Sequence, residues 1–350
     1  MRLIHTSDLH LGSPMTSSLD KEAAKIRRQE LRDTLAGLAD EAERLDCSGI
    51  IIAGDLFDSA APSALETELF LSTVRRHPKI AFFTLCGNHD GGVEFNSVSL
   101  PENLYTFGKD FTEYKIADVS VIGKSCIGRD AFLGLSLDRA RTNIVVLHGS
   151  LDGSGEDSIR LNDARGIGID YLALGHYHGY SEHKIDSRGV CVYSGTPEGR
   201  GFDEAHECGY VLIDTHRGVK HTFIPFAKRQ ILSINIDISG ANVLNDIETL
   251  ISEALKDVRN TSIVRITLVG VRQPHLIYDT DYLCAVLGGR FFHLEIKDSV
   301  STGGAALQDS GTRSLKQEFL RLVDKSGLDE KTKACVRELG TRALLGGKVR

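Results

Sequence analysis

Short apolar segments rich in Ile, Val and Leu alternate with longer amphipathic segments up to about residue 226 of this 350-residue chain. This alternation is typical of strands joined by crossover helices, and it predicts an α/β fold. From Val190 to Phe226 the apolar runs are shorter and joined by turns, which predicts an antiparallel extension of the sheet. Six earlier segments are the predicted strands: Arg2–Ser7, Gly49–Ala53, Ile80–Cys86, Val119–Gly123, Asn143–His148 and Tyr171–Gly175.

Two helices are predicted between the first three strands. A second helix is expected to begin near Pro62, since proline suits a first turn, and to run to about His77. Arg27, Arg28 and Arg32 lie close to acidic residues in the first helix, so we expect a solvated charged face there. The first helix also carries an apolar face with spacings of four, three, four and three, formed by Leu31, Leu35, Leu38, Ala42 and Leu45.

Beyond Lys228 the pattern changes. Two alternating segments flank a helical one and a third follows, which predicts a small α/β domain. A linker is expected at Ser299–Gly304, and helices near Thr312–Lys325 and Glu330–Leu345. The predicted domains are therefore residues 1–228, 229–300 and 301–350.

Five polar motifs occur in a fixed order, each where a predicted strand ends in a loop, which is where open α/β sheets build their sites. Singly, each has an ordinary explanation, because aspartates cap helices and GD or GN pairs mark turns. Five in order at strand ends favour a metal site of oxygen and imidazole ligands. The motifs are SDLH with Asp8 and His10, GDLFD with Asp55 and Asp58, GNHD with Asn88, His89 and Asp90, HGS with His148, and GHYH with His176 and His178.

The candidate ligands outnumber what one ion can use while keeping a position open for water. Asp55, on the central loop, can give one oxygen to each of two ions held about 3.5–4 Å apart, so that both contact a phosphate. His89 can donate a proton to the leaving group. We therefore expect two divalent ions, manganese first, with iron, zinc or magnesium as alternatives. The predicted ligands are Asp8, His10, Asp55, Asn88, His148, His176 and His178.

Composition constrains the partners and the location. With 48 acidic and 41 basic residues the formal charge is -7, so DNA would have to be attracted by local patches and bound cations. The N-terminus lacks a basic-then-apolar leader, and no apolar run approaches the roughly 18 residues of a membrane span. We expect a cytoplasmic protein without membrane attachment. The seven cysteines are widely spaced with no C-x-x-C pair, which predicts reduced thiols.

The motif set SDLHLG, GDLFD, GNHD, the lone His148 and GHYH resembles the calcineurin-like metallophosphoesterase superfamily. Within it, the chain is most similar to the SbcD branch of DNA repair nucleases, including shorter bacterial relatives of the YhaO kind. The Leu-Gly extension of SDLHLG is typical of that branch, and Ser59 stands where protein phosphatases carry an arginine. YSGTPEGRGFDE followed by GYVLID, from Tyr193 to Asp214, is also similar to these nucleases.

The resemblance implies a metallophosphoesterase β-sandwich flanked by helices, a small α/β cap domain that grips DNA (229–300), and a C-terminal helical tail (301–350) that docks an SMC-like coiled-coil ATPase. It also implies a homodimer, and it makes His89 the transition-state histidine. Asp58 stands where archaeal and eukaryotic members tend to carry a phosphate-positioning histidine. The resemblance places Asp8, His10, Asp55 and His178 on one ion, and Asp55, Asn88, His148 and His176 on the other.

Two further residues are candidates for substrate contact. Arg200 follows the metal histidines in the SGTPEGR loop and is expected to contact a phosphate. Tyr177, between two predicted ligands, can stack on a base or pack against the sheet edge.

These observations predict a metal-dependent DNA nuclease, exo- and endonucleolytic, that works with an ATPase in repair or recombination. One alternative is a small-molecule phosphodiesterase acting on cyclic nucleotides. The long chain beyond the catalytic core disfavours it. The other is a scaffold subunit with a vestigial site, which the intact acidic and histidine cluster disfavours because it is costly to assemble without cations.

Overall fold

The computed structural model describes most of the chain in two compact units. The first unit comprises Met1–Ile234, Val258–Arg265 and Val286–Glu295, and the second Asn235–Asp257, Ile266–Ala285 and Ile296–Arg350. The three-domain division stays a prediction. The predicted linker beyond Thr302, the helix start at Thr312, Leu345 and Cys126 lie outside the described residues, which are 1–15, 19–91, 100–125, 130–153, 155, 157–302 and 315–344.

All six predicted strands are present in the first unit, within two residues of the expected bounds. The strands at 104–106, 112–116 and 181–184 were not predicted. The elements up to residue 225 are β1 (Arg2–Thr6), α1 (Lys21–Arg44), β2 (Gly49–Ile52), α2 (Ala64–Arg76), β3 (Ala81–Thr84), β4 (Leu104–Thr106), β5 (Thr112–Ile116), β6 (Val119–Gly123), β7 (Thr142–His148), β8 (Ser150–Leu151), β9 (Ser158–Ile159), β10 (Tyr171–Gly175), β11 (Ser181–Lys184), β12 (Val190–Tyr193), β13 (Gly209–Asp214) and β14 (Lys220–Pro225), with short 3-10 helices at Leu161–Ala164 and Phe202–Glu204.

The strands form two six-stranded sheets. The first has the order β14-β13-β1-β2-β3-β4 and the second β11-β12-β10-β7-β6-β5. Neighbouring strands in the middle of each sheet are parallel, and the outer strands β13, β14, β5 and β11 are antiparallel to their neighbours. The antiparallel prediction was right for β13 and β14 but wrong for β12, which pairs parallel with β10 because the chain first turns back through the edge strand β11.

The two sheets pack face to face. One buried core takes Leu3, Ile51 and Phe83 from the first sheet together with Ile144 and Ala173 from the second. The helices α1 and α2 cover the other face of the first sheet, so the predicted sandwich flanked by helices is confirmed.

Local signals explain how the two helices begin and which face they bury. Four of the five predicted apolar residues of α1 are buried, and Leu45 ends the helix packed against the same core. The start of α2 differs from the prediction: Ser63, not Pro62, caps it, because Ser63 and Glu66 form a reciprocal capping box. The solvated face expected for Arg27 is wrong, since that side chain is 1% exposed.

Beyond β14 a small three-stranded sheet confirms the predicted strand–helix–strand unit, whereas the helix at 280–287 was not predicted. Among the described residues, no helix is long and apolar enough to cross a membrane. The described cysteines are free thiols, as expected. The sheet has the order β15-β16-β18, and the elements are β15 (Ile231–Asp237), α3 (Leu244–Ala254), β16 (Ile263–Val269), β17 (Val271–Arg272), α4 (Thr280–Leu287), β18 (His293–Asp298), β19 (Ser301–Thr302), α5 (Leu315–Lys325) and α6 (Glu330–Leu344).

Candidate metal centre

The five motifs lie at the carboxyl ends of parallel strands, β1, β2 and β3 in one sheet and β7 and β10 in the other. The loops after β1 and β2 stay paired beyond the strands: the Asp8 backbone N–H donates to Gly54 and that of His10 donates to Asp55, each at 3.0 Å. Polar side chains that are far apart in the sequence therefore meet at one edge of the sandwich.

Four predicted ligands have left-handed backbone conformations. The φ angles are 53° at Asp8, 46° at His10, 50° at Asp55 and 101° at His176. Such conformations cost about 1–3 kcal/mol each at residues other than glycine and persist only where the surroundings fix them. At His176 the constraint is visible, because its backbone N–H lies 3.1 Å from both carboxylate oxygens of Asp8.

Two motif glycines make room for these contacts. A Cβ on Gly54 would lie 2.3 Å from Nδ1 of His148, and one on Gly87 would lie 2.2 Å from Oδ1 of Asp55. Both distances are far inside van der Waals contact, so the GD and GN pairs have a steric reason as well as turn chemistry.

The first group of candidate ligands faces inward with free lone pairs. His178 Nδ1 lies 2.7 Å from a Glu204 oxygen and His10 Nδ1 lies 3.1 Å from Asp58, so in the neutral rings these nitrogens carry the protons. The two Nε2 atoms, both unprotonated, face each other at 3.4 Å, and His178 Nε2 lies 3.7 Å from Asp8. Electron-donating atoms held this close fit a shared cation.

The second group repeats this arrangement. His148 Nδ1 lies 2.9 Å from the Ala53 carbonyl, which leaves Nε2 as the acceptor of the neutral ring. That Nε2 lies 2.9 Å from Oδ1 of Asn88, and His176 Nδ1 lies 3.0 Å from the same oxygen. Burial, followed by the neighbouring His148, lowers the pKa of His176, which favours its unprotonated form.

Asp55 lies between the two groups. Its Oδ2 is 3.8 Å from Nε2 of His10 and 3.5 Å from Nε2 of His148, while Oδ1 accepts the His89 backbone N–H at 2.9 Å. The residue is 1% exposed. The structure thus brings all seven predicted ligand residues together, and their donor atoms fit two ions on either side of Asp55.

His89 and Asp58 lie on the rim of the site. The exposed His89 ring packs edge-on to His10 at 4.7 Å, and nitrogens of both lie within 4.8 Å of an Asp58 oxygen. Burial alone would raise the pKa of Asp58, but the hydrogen bond from His10 and the charge of Arg200 outweigh it and lower the pKa. Asp58 therefore stays an anion that faces two predicted site residues.

Arg200 lies close to the site but is already paired. Its guanidinium lies 3.0 Å from Asp58 and 3.0 Å from Glu204. Tyr177 is 55% exposed and contacts Tyr193 edge-on, with ring centroids 5.6 Å apart. The phosphate contact of Arg200 and the base contact of Tyr177 stay predictions.

Two positioning residues were missed by the sequence prediction. Asp90 joins two loops, since its buried carboxylate accepts from the Gly87 N–H at 2.6 Å and from the Phe57 N–H at 3.2 Å. Glu204 accepts from His178 and from the Arg200 backbone N–H at 2.6 Å. Asp90 stood in a motif without a role, and the GFDE segment of Glu204 gave no local signal of a contact with His178.

Charge explains why Glu204 can hold His178. Burial alone would raise the pKa of Glu204, but the hydrogen bond from His178 and the charge of Arg200 lower it to about 2. Burial likewise opposes the charged form of His178, yet the Glu204 hydrogen bond and the Asp8 carboxylate raise its pKa overall. This part of the site therefore favours a positive charge.

We expect Glu204→Gln to weaken ion binding by about 10- to 100-fold, because a hydrogen-bond partner orients the ligand histidine and raises its basicity. Calorimetric titration of the metal-free protein with manganese measures the effect. The control is Glu207→Gln, an exposed carboxylate three residues away. Equal ion affinities in the two variants would show that Glu204 does not act through His178.

Comparison with known proteins agrees with this geometry. Residues 1–208 match the sequence model of the family described as calcineurin-like phosphoesterase. The metallophosphoesterase YhaO of Bacillus subtilis is 30% identical over 239 residues, which are 62% of this chain and 58% of YhaO. The DNA double-strand break repair protein Mre11 of Sulfurisphaera tokodaii is 26% identical over 215 residues, 56% of this chain and 54% of Mre11. The chain thus spans little more than half the length of these two relatives.

Other similarities are more distant. The SbcD nuclease of Staphylococcus epidermidis is 23% identical over 304 residues, 73% of this chain and 75% of the relative. Among solved structures, a dimetal phosphatase from Danio rerio has a TM-score of 0.44 and 9% identity, covering 65% of this chain and 99% of that one. The family match, which spans more than half of the chain, shows that this protein belongs to the calcineurin-like phosphoesterases and is a phosphoester hydrolase.

Proposed function

We propose that the chain is a metal-dependent DNA nuclease that cleaves phosphodiester bonds, both exo- and endonucleolytically, in DNA repair or recombination. The observation that carries the proposal is the placement of the Asp55 carboxylate between two groups of inward-facing donor atoms. This arrangement suits a reaction in which negative charge grows on phosphoryl oxygens and on the leaving oxygen.

Two divalent ions would be held here, manganese first, with iron, zinc or magnesium as alternatives. When bound, they would neutralise charge on the phosphate and supply an activated water. Asp55 would bridge them through its two sides. The remaining ligands divide as the geometry groups them, with Asp8, His10 and His178 on one side and Asn88, His148 and His176 on the other.

His89 is our candidate for the general acid. Its backbone is anchored to Asp55, while its ring is exposed on the rim of the site, where a leaving group would depart. A histidine titrates near neutral pH, so it can hold a proton and release it to an alkoxide. Arg200 would contact a phosphate only by exchanging its bond with Asp58, so its first role is to hold Glu204 against His178.

DNA is proposed as the substrate because the relatives Mre11 and SbcD share the catalytic region. Residues 229–300 would then grip DNA as a cap. The tail, residues 301–350, would dock an SMC-like coiled-coil ATPase, and its helices α5 and α6 expose Leu322 and Leu339 as a protein-binding surface would. We further propose a cytoplasmic homodimer.

Substrate panels test the proposal. The purified chain is incubated with manganese, with and without a chelator, and with end-labelled single- and double-stranded DNA, bis-p-nitrophenyl phosphate or cyclic nucleotides. Manganese-dependent release of nucleotides from DNA is expected. Turnover of the small diesters alone would replace the nuclease by a small-molecule phosphodiesterase. Bound manganese without turnover of any substrate would favour a scaffold role.

A further inference from the structure

An exposed aromatic ring lies next to the candidate metal centre. Tyr177 falls between His176 and His178, and 55% of its surface is exposed. Among the residues that the structure describes, Tyr282 is the one other tyrosine or phenylalanine with a comparably exposed side chain. An open aromatic ring within one residue of two ion-binding side chains is placed to contact whatever lies next to the reacting phosphate.

The Tyr177 ring is supported on one side by a fixed partner. Tyr193 is 3% exposed, and its hydroxyl donates to the Gly149 carbonyl at 2.7 Å and accepts from the Leu151 N–H at 2.8 Å. The two rings meet edge-on at 74°. Tyr177 is therefore held in place from behind while much of its surface remains free.

Gly179 also belongs to this arrangement. A Cβ at that position would lie 3.0 Å from Cε1 of Tyr177, which is tighter than ordinary contact, so glycine lets the ring lie against the backbone. A ring used only for packing would be covered, as Tyr193 is. The structure thus holds Tyr177 in position yet leaves it available to a ligand.

We infer that Tyr177 stacks on an unpaired nucleobase of the nucleotide next to the scissile phosphate, an inference that rests on the proposed nuclease function. Every base has a π-face, so the contact needs no particular sequence. A base within a duplex is covered by its neighbours, so the contact requires an unpaired one. The enzyme would therefore prefer single strands and frayed ends.

Scanning an abasic site along a single-stranded oligonucleotide tests the inference. With the wild-type chain and manganese, kcat/KM should fall by about 5- to 150-fold when the missing base is the one that stacks, and much less at other positions. Tyr177→Ala should lower kcat/KM on intact DNA by a similar factor and be indifferent to the missing base. Tyr177→Phe keeps the ring and should restore the wild-type response.

A binding measurement separates this inference from the proposed function. In the His89→Gln background, 2-aminopurine at the sensitive position should be quenched by stacking on Tyr177 and stay bright with Tyr177→Ala. If DNA is cleaved but Tyr177→Ala keeps the full abasic response and the quenching, the stacking role is wrong and the nuclease stands. If no DNA is bound or cleaved by the wild-type chain, both fall.

Discussion

His89→Gln is expected to lower kcat for DNA hydrolysis by about 10²–10⁴ while two manganese ions per chain stay bound. Glutamine fills a similar volume but cannot release a proton to the leaving oxygen. The ion sites should survive, because the structure uses the His89 backbone N–H, and not its ring, to fix Asp55. Single-turnover rates and metal analysis of the same preparation measure both quantities. His183→Gln, an exposed histidine on the edge strand β11, is the control.

The leaving group provides a sharper version of this test. A p-nitrophenolate departs as a stable anion and needs little protonation, so bis-p-nitrophenyl phosphate should lose much less rate than DNA does in His89→Gln. An equal loss on both substrates would argue that His89 contacts the phosphate instead. A parallel loss of bound manganese would make it a ligand and contradict the assignment.

The metal centre could be predicted from the sequence because its residues follow the strands closely. Asp8 comes two residues after β1, Asp55 three after β2, and His148 ends β7. Parallel strands bring their carboxyl ends to one edge, so a ligand set is visible as motifs without knowledge of the loops. The left-handed conformation of Asp8 could not be predicted, since it depends on a backbone contact with Gly54 from another strand.

Long-range partners explain what the sequence did not reveal. Glu204 meets His178 across 26 positions, and Arg27 meets the Gly199 carbonyl across 172. No periodicity connects such pairs. Arg27 was expected on a solvated face because Glu30 lies three residues away, the spacing of an ordinary surface ion pair. The missed strand β11 has a similar cause, since its sequence SEHK offers no apolar residue and its place depends on pairing with β12.

The Arg27 environment links α1 to the loop beside the metal centre. Its guanidinium lies 2.7 Å from Glu30 and 2.7 Å from Glu198, and donates to the Gly199 carbonyl at 2.6 Å. Glu198 is 0% exposed and also accepts the Lys228 N–H at 2.7 Å. The next residue after Gly199 is Arg200, whose backbone N–H holds Glu204. A buried charge network thus fixes the loop that orients His178.

Arg27→Met should lower the free energy of unfolding by about 3–5 kcal/mol, because the Glu198 carboxylate would stay buried without its cation. Glu30 would suffer less, since Arg229 remains 2.6 Å away. Arg44→Met, which removes an exposed arginine paired with Glu41 in the same helix, should cost no more than about 1 kcal/mol.

Urea unfolding of the metal-free proteins measures this difference without a contribution from bound ions. The double variant Arg27→Met/Glu198→Leu should recover much of the loss, since replacing both members of a buried pair by apolar groups of similar size is often close to neutral. Recovered stability with weak manganese binding would show that the pair serves the site more than the fold, because loop 198–200 would then be packed but no longer held by the ion pair. Equal destabilisation by Arg27→Met and Arg44→Met would mean that water reaches Glu198, and the positioning role of Arg27 would have to be abandoned.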